Sequence, residues 1–265
     1  MNPISLHPLD LAIAASLVVV DILLSVFLRL GLHRQLLISA GRMVLQLTAV
    51  GYVLRYVFAL DSPAATGAIV LVMILVAAYE VAARPSRKLR GGNFLVSIPT
   101  VAGATVLTSV FALVTAIRPA PWFDPHYAIP LVGIILGSVL NAGSISLGGI
   151  LDGVTGAQAS IEARLMLGER WRVAIGPLVR QSIRRGMVPV LNQMIAAGII
   201  TLPGIMTGQI LAGLDPVEAV KYQVLLMFLL SGGSCLAAIG TAYGAASLLT
   251  DGRERLRLDR LTGPK

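Results

Sequence analysis

The chain has 265 residues, of which 56% are hydrophobic and 13% charged, and its mean hydropathy is +0.83. No ordinary soluble core of this size requires so apolar a composition, which excludes the soluble globular classes. The net charge of +8 is carried by short basic clusters between apolar runs. That distribution is typical of the cytoplasmic loops of membrane proteins, so we do not expect the chain to bind nucleic acid.

Apolar runs of bilayer length recur along the chain and predict an all-α, polytopic membrane protein with about seven transmembrane helices. A hydrocarbon layer about 30 Å thick needs roughly 20 apolar residues in a helix. The first run follows a segment without the basic region of a cleaved secretory signal, so we expect it to remain as a span. The seven runs lie near residues 9–28, 43–60, 64–83, 94–117, 126–151, 187–213 and 222–250.

Lysine and arginine are distributed unevenly between the alternate connections of these spans. The connections on one side hold 18 of the 21 basic residues, and those on the other side hold only Arg55, Arg118 and Lys221. The positive-inside bias then places the N-terminus outside and the C-terminus in the cytoplasm, which requires an odd number of spans. We expect residues 1–265 to form a single transmembrane domain.

The three outer connections are short and carry turn-forming residues. Their sequences are DSP at 61–63, RPAPWFDP at 118–125 and LDP at 214–216. Trp122, Phe123 and Tyr127 lie where an interfacial aromatic belt is expected. On the other side, the charged stretch DGRERLRLDRLTGPK predicts a short cytoplasmic helix or tail.

Glycines recur at four-residue spacing within several spans, which allows helix backbones to approach closely in lipid. The pairs are Gly133 and Gly137, Gly149 and Gly153, Gly204 and Gly208, and Gly240 and Gly244. Pro189 and Pro203 lie inside the sixth predicted span, where each removes a backbone hydrogen bond. Because Pro203 is followed by Gly204, we predict a helix break there. Such breaks are tolerated where they are buried in protein or line a cavity.

Polar side chains inside the spans are candidates for a translocation path. An ionisable residue at the centre of a membrane helix costs about 2.5–3.5 kcal/mol, so each needs a partner, water or a function. One interpretation is structural pairing, in which Glu80 pairs with Arg84, Asp21 pairs with Arg42, and Arg42 reaches the interface. The other is a path for substrate or ions, formed by Asp21, Arg42, Gln46, Glu80, Asn141, Asn192, Gln193 and Met194.

The residues leave the identity of any metal site unknown. Met194 and Met206 carry soft thioethers, but methionine is also a common filler of apolar gaps. The histidines lie at span ends in different connections, and no HExxH or CxxC motif occurs. The single cysteine, Cys235, has no partner for an intrachain disulfide and is expected to be a small packed residue.

The most polar stretch, residues 155–185, is predicted to be the main cytoplasmic segment. Glu162 and Ala163 precede Gly168, so a short acidic helix is expected to end at a glycine, with Arg170 and Arg172 beyond it. Such a helix has two interpretations, an amphipathic helix on the membrane surface or a helix that inserts into a groove of a partner. None of the three lysines follows a glycine, so the chain has no GxxxxGK[ST] phosphate loop. An ATPase that drives transport must therefore be another polypeptide.

Five stretches resemble the FetB-type iron-export ABC transporter permease family, which also includes plant proteins linked to aluminium tolerance. They are RMVLQLTAVGYVL at 42–54, AAYEVAARP at 77–85, the region of Asn141, IEARLMLG at 161–168 and GIITLPGIMTGQILAGLDPVEAVKYQ at 198–223. The resemblance implies a homodimeric permease of the bacterial inner membrane that exports iron or another metal cation. It also implies a separate cytoplasmic ATP-binding subunit that holds ATP and Mg²⁺, while this chain itself binds no cofactor.

The resemblance also implies roles for particular positions. Glu162, Ala163 and Gly168 would belong to the coupling helix that contacts the ATPase. Arg164 and Leu165 depart from the general coupling pattern, which has a small third residue. The positions that match the shared motifs of the family are Arg42, Gln46, Glu80, Pro203, Gly204, Met206, Thr207, Gly208 and Gln209.

Two other classes of function are weighed against this one. A stand-alone secondary transporter would use the intramembrane carboxylates Asp21 and Glu80 as an ion relay, with no ATPase. An intramembrane enzyme is not expected, because no serine or cysteine has an obvious histidine or lysine partner at a suitable spacing.

Overall fold

The structure is a computed structural model that describes residues 7–60, 62–121 and 123–263. It confirms the all-α, polytopic class, because the described residues form mainly long helices and two strands of two residues each. Three residues used in the sequence predictions lie outside the described ranges. They are Asp61 of the DSP turn, Trp122 of the aromatic belt and Lys265 of the basic tail.

The contacts between residues divide the chain into two compact units. The first comprises the residues up to Ser62 together with Leu211–Gly213, and the second comprises Pro63–Ile210 together with the residues from Leu214 onward. The single transmembrane domain over residues 1–265 stays a prediction.

The first unit contains two helices that pack on each other, α1 (Pro8–Phe27) and α2 (His33–Leu60). The backbone N–H of His7 donates to Asp10 Oδ2 over 2.8 Å at the start of α1. Near its end, the hydroxyl of Ser25 accepts from the N–H of Leu32 over 3.0 Å, which holds the turn into α2. The apolar side chains of both helices are largely exposed, as expected where lipid is the solvent.

The second unit is built around α5 (Pro125–Gly156). This helix has 32 residues and is therefore about 48 Å long, which exceeds a hydrocarbon core of about 30 Å. Its fully buried side chains include Ile135, Leu147, Ile150 and Leu151. The helices that pack against α5 are α3 (Pro63–Ala83), α4 (Phe94–Phe111), α8 (Gly176–Ala196) and α10 (Pro216–Leu248).

Shorter elements lie in the connections of the second unit. A π-helix, Ala112–Ile117, continues α4, and a 3₁₀ turn covers Leu258–Arg260. Two short helices, α6 (Gln158–Met166) and α7 (Trp171–Ala174), follow α5. Strands β1 (Lys88–Leu89) and β2 (Leu261–Thr262) pair antiparallel, with Lys88 opposite Thr262.

Both of the longest helices in this unit begin at an Asp-Pro pair. Asp124 Oδ1 accepts from the N–H of His126, and Asp215 Oδ1 accepts from the N–H of Val217, each over 2.9 Å. The proline after each aspartate occupies the first turn of its helix, where its missing N–H costs nothing. The turn-forming residues of these two predicted outer connections are therefore the N-terminal caps of α5 and α10.

Six described helices are long and apolar enough to cross a membrane, namely α1, α2, α3, α4 with its π-helical extension, α5 and α10. The predicted sixth span, residues 187–213, is divided instead into α8 and α9 (Gly204–Leu211). The first of these ends at Ala196, because Ala197 is extended and Gly198 takes a left-handed φ of +85°. Pro203 has no N–H to donate and lies immediately before α9, so the predicted break is an interruption of seven residues, 197–203.

Glycines allow the helices of the second unit to approach closely. A Cβ added at Gly240 would lie 2.6 Å from Thr100 Cγ2, and one at Gly244 would lie 2.8 Å from Val96 Cγ1. At Gly186 the added atom would lie 2.8 Å from the carbonyl oxygen of Ala142. Gly204 and Gly208, by contrast, have nothing within 4 Å of such an atom, so that predicted pair makes no close contact.

Replacing Gly186 by Ala is expected to destabilise the chain by about 1–3 kcal/mol, because the new methyl group meets backbone that cannot move cheaply. The matched control is Gly137→Ala, whose added methyl meets nothing within 4 Å in the interior of α5. That substitution is expected to leave stability unchanged or raise it by up to about 1 kcal/mol. Thermal unfolding in detergent measures both, and equal midpoints would contradict the packing described for α8.

Candidate functional site

A polar cluster joins the end of α3 to the middle of α5. Arg84 Nε lies 3.9 Å from Glu80 Oε2, and Arg84 Nη1 donates to Asn141 Oδ1 over 3.1 Å. The pairing of Glu80 with Arg84 on one helix, which is one of the two sequence interpretations, is therefore present. The amide of Asn141 extends it to a second helix, 57 residues further along the chain.

A small cavity of about 50 Å³ brings Asn141 together with Gln193 of α8. Pro189, the proline inside α8, also lines it. Of the neighbouring candidates, Asn192 is exposed and Met194 packs against the apolar core. The cluster that the second unit assembles from the predicted path thus consists of Glu80, Asn141 and Gln193.

The remaining path candidates lie in the first unit. Asp21, Arg42 and Gln46 are all exposed there. Across residues 7–60, 62–121 and 123–263, no group of three or more histidine, cysteine, aspartate or glutamate side chains is placed to hold a metal ion. Met206 and Gln209 lie in α9, beside Gly204 at its start, and both are half-buried.

The segment that follows α5 forms a second candidate site. Glu162 lies in the middle of α6, where its Oε1 accepts from Gln158 Nε2 over 2.9 Å, and Ala163 beside it is exposed. Gly168 has a φ of +86°, a left-handed conformation that glycine adopts without a Cβ penalty. The helix therefore stops where the sequence predicts, and Arg164 Nε pairs with Glu169 Oε2 across the turn at 3.0 Å.

This segment is anchored at one point and exposed at its tip. Ile161 is 3% exposed and belongs to the apolar core, whereas Met166 and Leu167 are 82% and 85% exposed. Beyond the glycine, the guanidinium of Arg172 lies 5.5 Å above the ring of Trp171, a cation–π contact, and Arg170 is exposed. We call residues 158–174 the tip segment, because it presents two apolar side chains flanked by arginines.

The C-terminal stretch has a role that sequence reasoning missed. A carboxylate oxygen of Glu254 accepts from the N–H of Trp171 and caps α7. Strand β2 holds the loop after α3, since the hydroxyl of Thr262 donates to the carbonyl of Lys88 over 2.9 Å. Three leucines within this charged stretch pack against the core, namely Leu256, Leu258 and Leu261. Their recurrence is the one feature of the sequence that could have indicated this packing. Residues 251–263 are therefore a clamp on the tip segment and the loop after α3, rather than a free tail.

These contacts bring three basic connections to one end of the second unit. Lys88 in the loop after α3 lies opposite Thr262, and Trp171 in the tip segment contacts Glu254. The positive-inside prediction assigned these three connections to one side, and their shared position agrees with it. The orientation of that side toward the cytoplasm stays a prediction.

Two aspartates of the clamp are held ionised by neighbouring groups. The backbone N–H of Arg255 is the main cause that lowers the pKa of Asp251 below its ordinary value of 3.8. The side chain of Arg257, which donates two hydrogen bonds of 2.8 Å, lowers the pKa of Asp259 to about 2. Because the folded pKa is the lower one, these carboxylates stabilise the clamp fully above about pH 4, and that contribution is lost as the pH falls toward 2.

Clamp release in acid is measurable through Trp171, which is the only tryptophan left in a Trp122→Phe variant. We expect its emission to stay constant from about pH 7 to 5 and to change between about pH 4 and 2. Adding Asp251→Asn and Asp259→Asn should shift the emission toward the acid value already at neutral pH. A transition centred near pH 6 would contradict this assignment.

The fold and the two sites define a polytopic, all-helical membrane protein with a short helical segment outside its spans. The sequence profile of the "Uncharacterised protein family (UPF0014)" matches residues 8–249. The chain belongs to this family.

Relatives extend the match over nearly the whole chain. It is 34% identical over 262 residues to the probable iron export permease protein FetB of Escherichia coli (strain K12), which covers 98% of this chain and 99% of that one. It is 38% identical over 220 residues to the UPF0014 membrane protein slr1647 of Synechocystis sp., covering 81% and 83% of the two chains. With the UPF0014 membrane protein STAR2 of Oryza sativa subsp. japonica it shares 32% identity over 87% of this chain and 79% of that one. No solved structure matches the chain.

Proposed function

We propose that the chain is the membrane-spanning permease subunit of an ATP-driven exporter, with iron or another metal cation as its cargo. The similarity to FetB, which is named a probable iron export permease, supports the cargo and the direction. ATP hydrolysis belongs to a separate cytoplasmic subunit, which holds ATP and Mg²⁺, and two copies of each subunit form the transporter in the bacterial inner membrane.

One observation carries the proposal, the exposed apolar tip at Met166 and Leu167. It lies outside the predicted spans, and water is a poor solvent for it. A helix end with apolar side chains and flanking arginines suits a groove on a soluble protein. The proposed partner is the ATP-binding subunit. It would contact Glu162 and Ala163 on α6, and Gly168, Arg170 and Arg172 after that helix.

The connection of the tip segment to α5 gives the proposal a mechanical route. α6 begins two residues after α5 ends, and Ile161 ties it to the core. A force on the tip is therefore applied to the central helix of the second unit, against which α3, α4, α8 and α10 pack. Alternating access requires two packings of these helices, and binding of ATP to the partner supplies the bias between them. The interruption at 197–203, where the N–H of Thr201 donates to the carbonyl of Ala196 at the end of α8, would transmit that movement to the helices lining the path.

In this proposal the metal cation is the transported substrate and not a cofactor that stays bound. A transporter must bind its cargo weakly enough to release it, so a set of amide and single carboxylate groups suits this role better than a closed metal centre. Asn141 and Gln193 supply such amide groups in the lining of the small cavity, and Glu80 supplies a carboxylate that is linked to Asn141 through Arg84.

Reconstitution with the partner subunit tests the proposed class of function. The chain and an ATP-binding cassette subunit, reconstituted together in liposomes, should show ATPase activity that iron or another cation stimulates. Gradient-driven transport by the chain alone, without ATPase, would contradict the proposal and favour the secondary transporter that uses Asp21 and Glu80.

A further inference from the structure

A cavity of about 540 Å³ opens between the end of α3, the second half of α5 and α8. It is separate from the tip segment, and its lining includes Arg84 and Asn141 of the polar cluster described above. Arg84 lies at its α3 border, Asp152 at its α5 border and Arg185 at its α8 border.

The charges around this cavity do not cancel. Asp152 Oδ1 already accepts from the hydroxyl of Ser86 over 2.9 Å and lies 4.0 Å from Arg87 Nε. Arg84 is shared between Glu80 and Asn141. The side chain of Arg185 is exposed and makes no hydrogen bond or ion pair with any residue in the described part of the chain. Its guanidinium therefore leaves the cavity with positive charge and unused donors.

The chemistry of these donors selects an oxyanion. A guanidinium group presents five N–H donors in a planar fork that matches the oxygens of phosphate. The hydroxyl of Ser86, also in the lining, already donates its proton to Asp152, so the arginines supply the donors. A bare divalent cation is disfavoured, because the lining has a single carboxylate and that carboxylate is already paired.

The cavity also has room for a ligand. Gly148 of α5 lines it, and a Cβ added there would meet nothing within 4 Å. The backbone of α5 therefore leaves open space facing the two arginines.

We propose that this cavity binds a phosphate group, with Arg185 as the main contact and Arg84 as the second. The phosphate belongs either to the headgroup of an acidic lipid or to a soluble phosphate compound, and both present the same oxygens. The inference does not depend on the ATPase partner or on the cargo, because binding is measured on this chain alone.

The test uses the full chain in nanodiscs of phosphatidylcholine, at constant ionic strength. In one arm a quarter of the lipid is replaced by phosphatidylglycerol, and in the other inorganic phosphate is titrated against chloride. We expect at least one of these probes to raise the thermal unfolding temperature. A response to phosphatidylglycerol alone assigns the site to a headgroup, a response to phosphate alone assigns it to a soluble ligand, and responses to both show a site open to either.

Matched variants separate this site from general surface charge. Arg185→Gln should weaken the response by about tenfold, the effect of losing a charge-assisted hydrogen bond. Arg184→Gln makes the same charge change one residue earlier, outside the lining, and should alter the response less than about twofold. Gly148→Leu keeps both arginines but fills the space, and should weaken the response as Arg185→Gln does. Equal effects of the two arginine variants, or no response to either probe, would overturn the proposal.

Discussion

Replacing Glu162 by Arg, or Gly168 by Trp, is expected to abolish cation-stimulated ATP hydrolysis while the chain stays folded. Glu162 is half-buried on α6, and reversing its charge places a cation against the arginines already on the tip segment. At Gly168 the φ of +86° disfavours any side chain, and an indole would also enlarge the surface that the partner must fit. The loss of stimulated activity should be at least about tenfold, as for a residue at the centre of an interface.

Two substitutions elsewhere are the controls for this result. Glu218→Arg makes the same charge reversal at an exposed position near the start of α10. Gly31→Trp makes the same enlargement at a glycine with a φ of +72° and nothing within 4 Å. Both should retain stimulated activity. Full activity of the Glu162 and Gly168 variants, with co-purification of the ATPase unchanged, would exclude the tip segment as the docking site.

Removing residues 251–265 is expected to release the loop after α3 and to uncouple the tip segment. Three leucines of this stretch pack against the core, and partial burial is worth about 1 kcal/mol for each. Opening of the loop should therefore become about 100-fold more frequent. Trypsin reports this directly, because the loop contains Arg87, Lys88 and Arg90.

A shorter truncation distinguishes the clamp from chain length. A chain that ends at Thr262 keeps strand β2, the leucines and the carboxylate of Glu254. It should resist trypsin as the intact chain does. Equal cleavage rates for the intact chain and the chain without 251–265 would show that the clamp does not hold the loop.

Several features of the fold follow from local sequence. The Asp-Pro pairs at Asp124 and Asp215 begin α5 and α10, since the carboxylate caps the helix and proline suits its first turn. The glycine after the acidic helix likewise ends α6 where the spacing predicts. The interruption at 197–203 does not follow from local sequence, because its isoleucines are apolar enough to lie within a span. The left-handed backbone at Gly198 has no hydropathy signal.

The candidate site was predicted only in part, for a physical reason. Glu80 and Arg84 are one helical turn apart, so their pairing follows from sequence. The contact of Arg84 with Asn141 joins residues on different helices, and no local pattern specifies it. Likewise, no spacing indicates that Glu254 caps a helix 83 residues earlier in the chain.

By itself, the amino-acid sequence determined that this protein is helical and membrane-spanning, that it carries no phosphate loop, and where its exposed acidic helix stops. These properties depend on composition and on residues within a few helical turns of one another, so a single segment of the chain is enough to specify them. The tertiary structure alone decided which polar groups meet, that the C-terminal stretch is a clamp, and that Arg185 faces a cavity. Such contacts depend on how distant helices pack, because packing sets the distances between groups that the chain order leaves far apart.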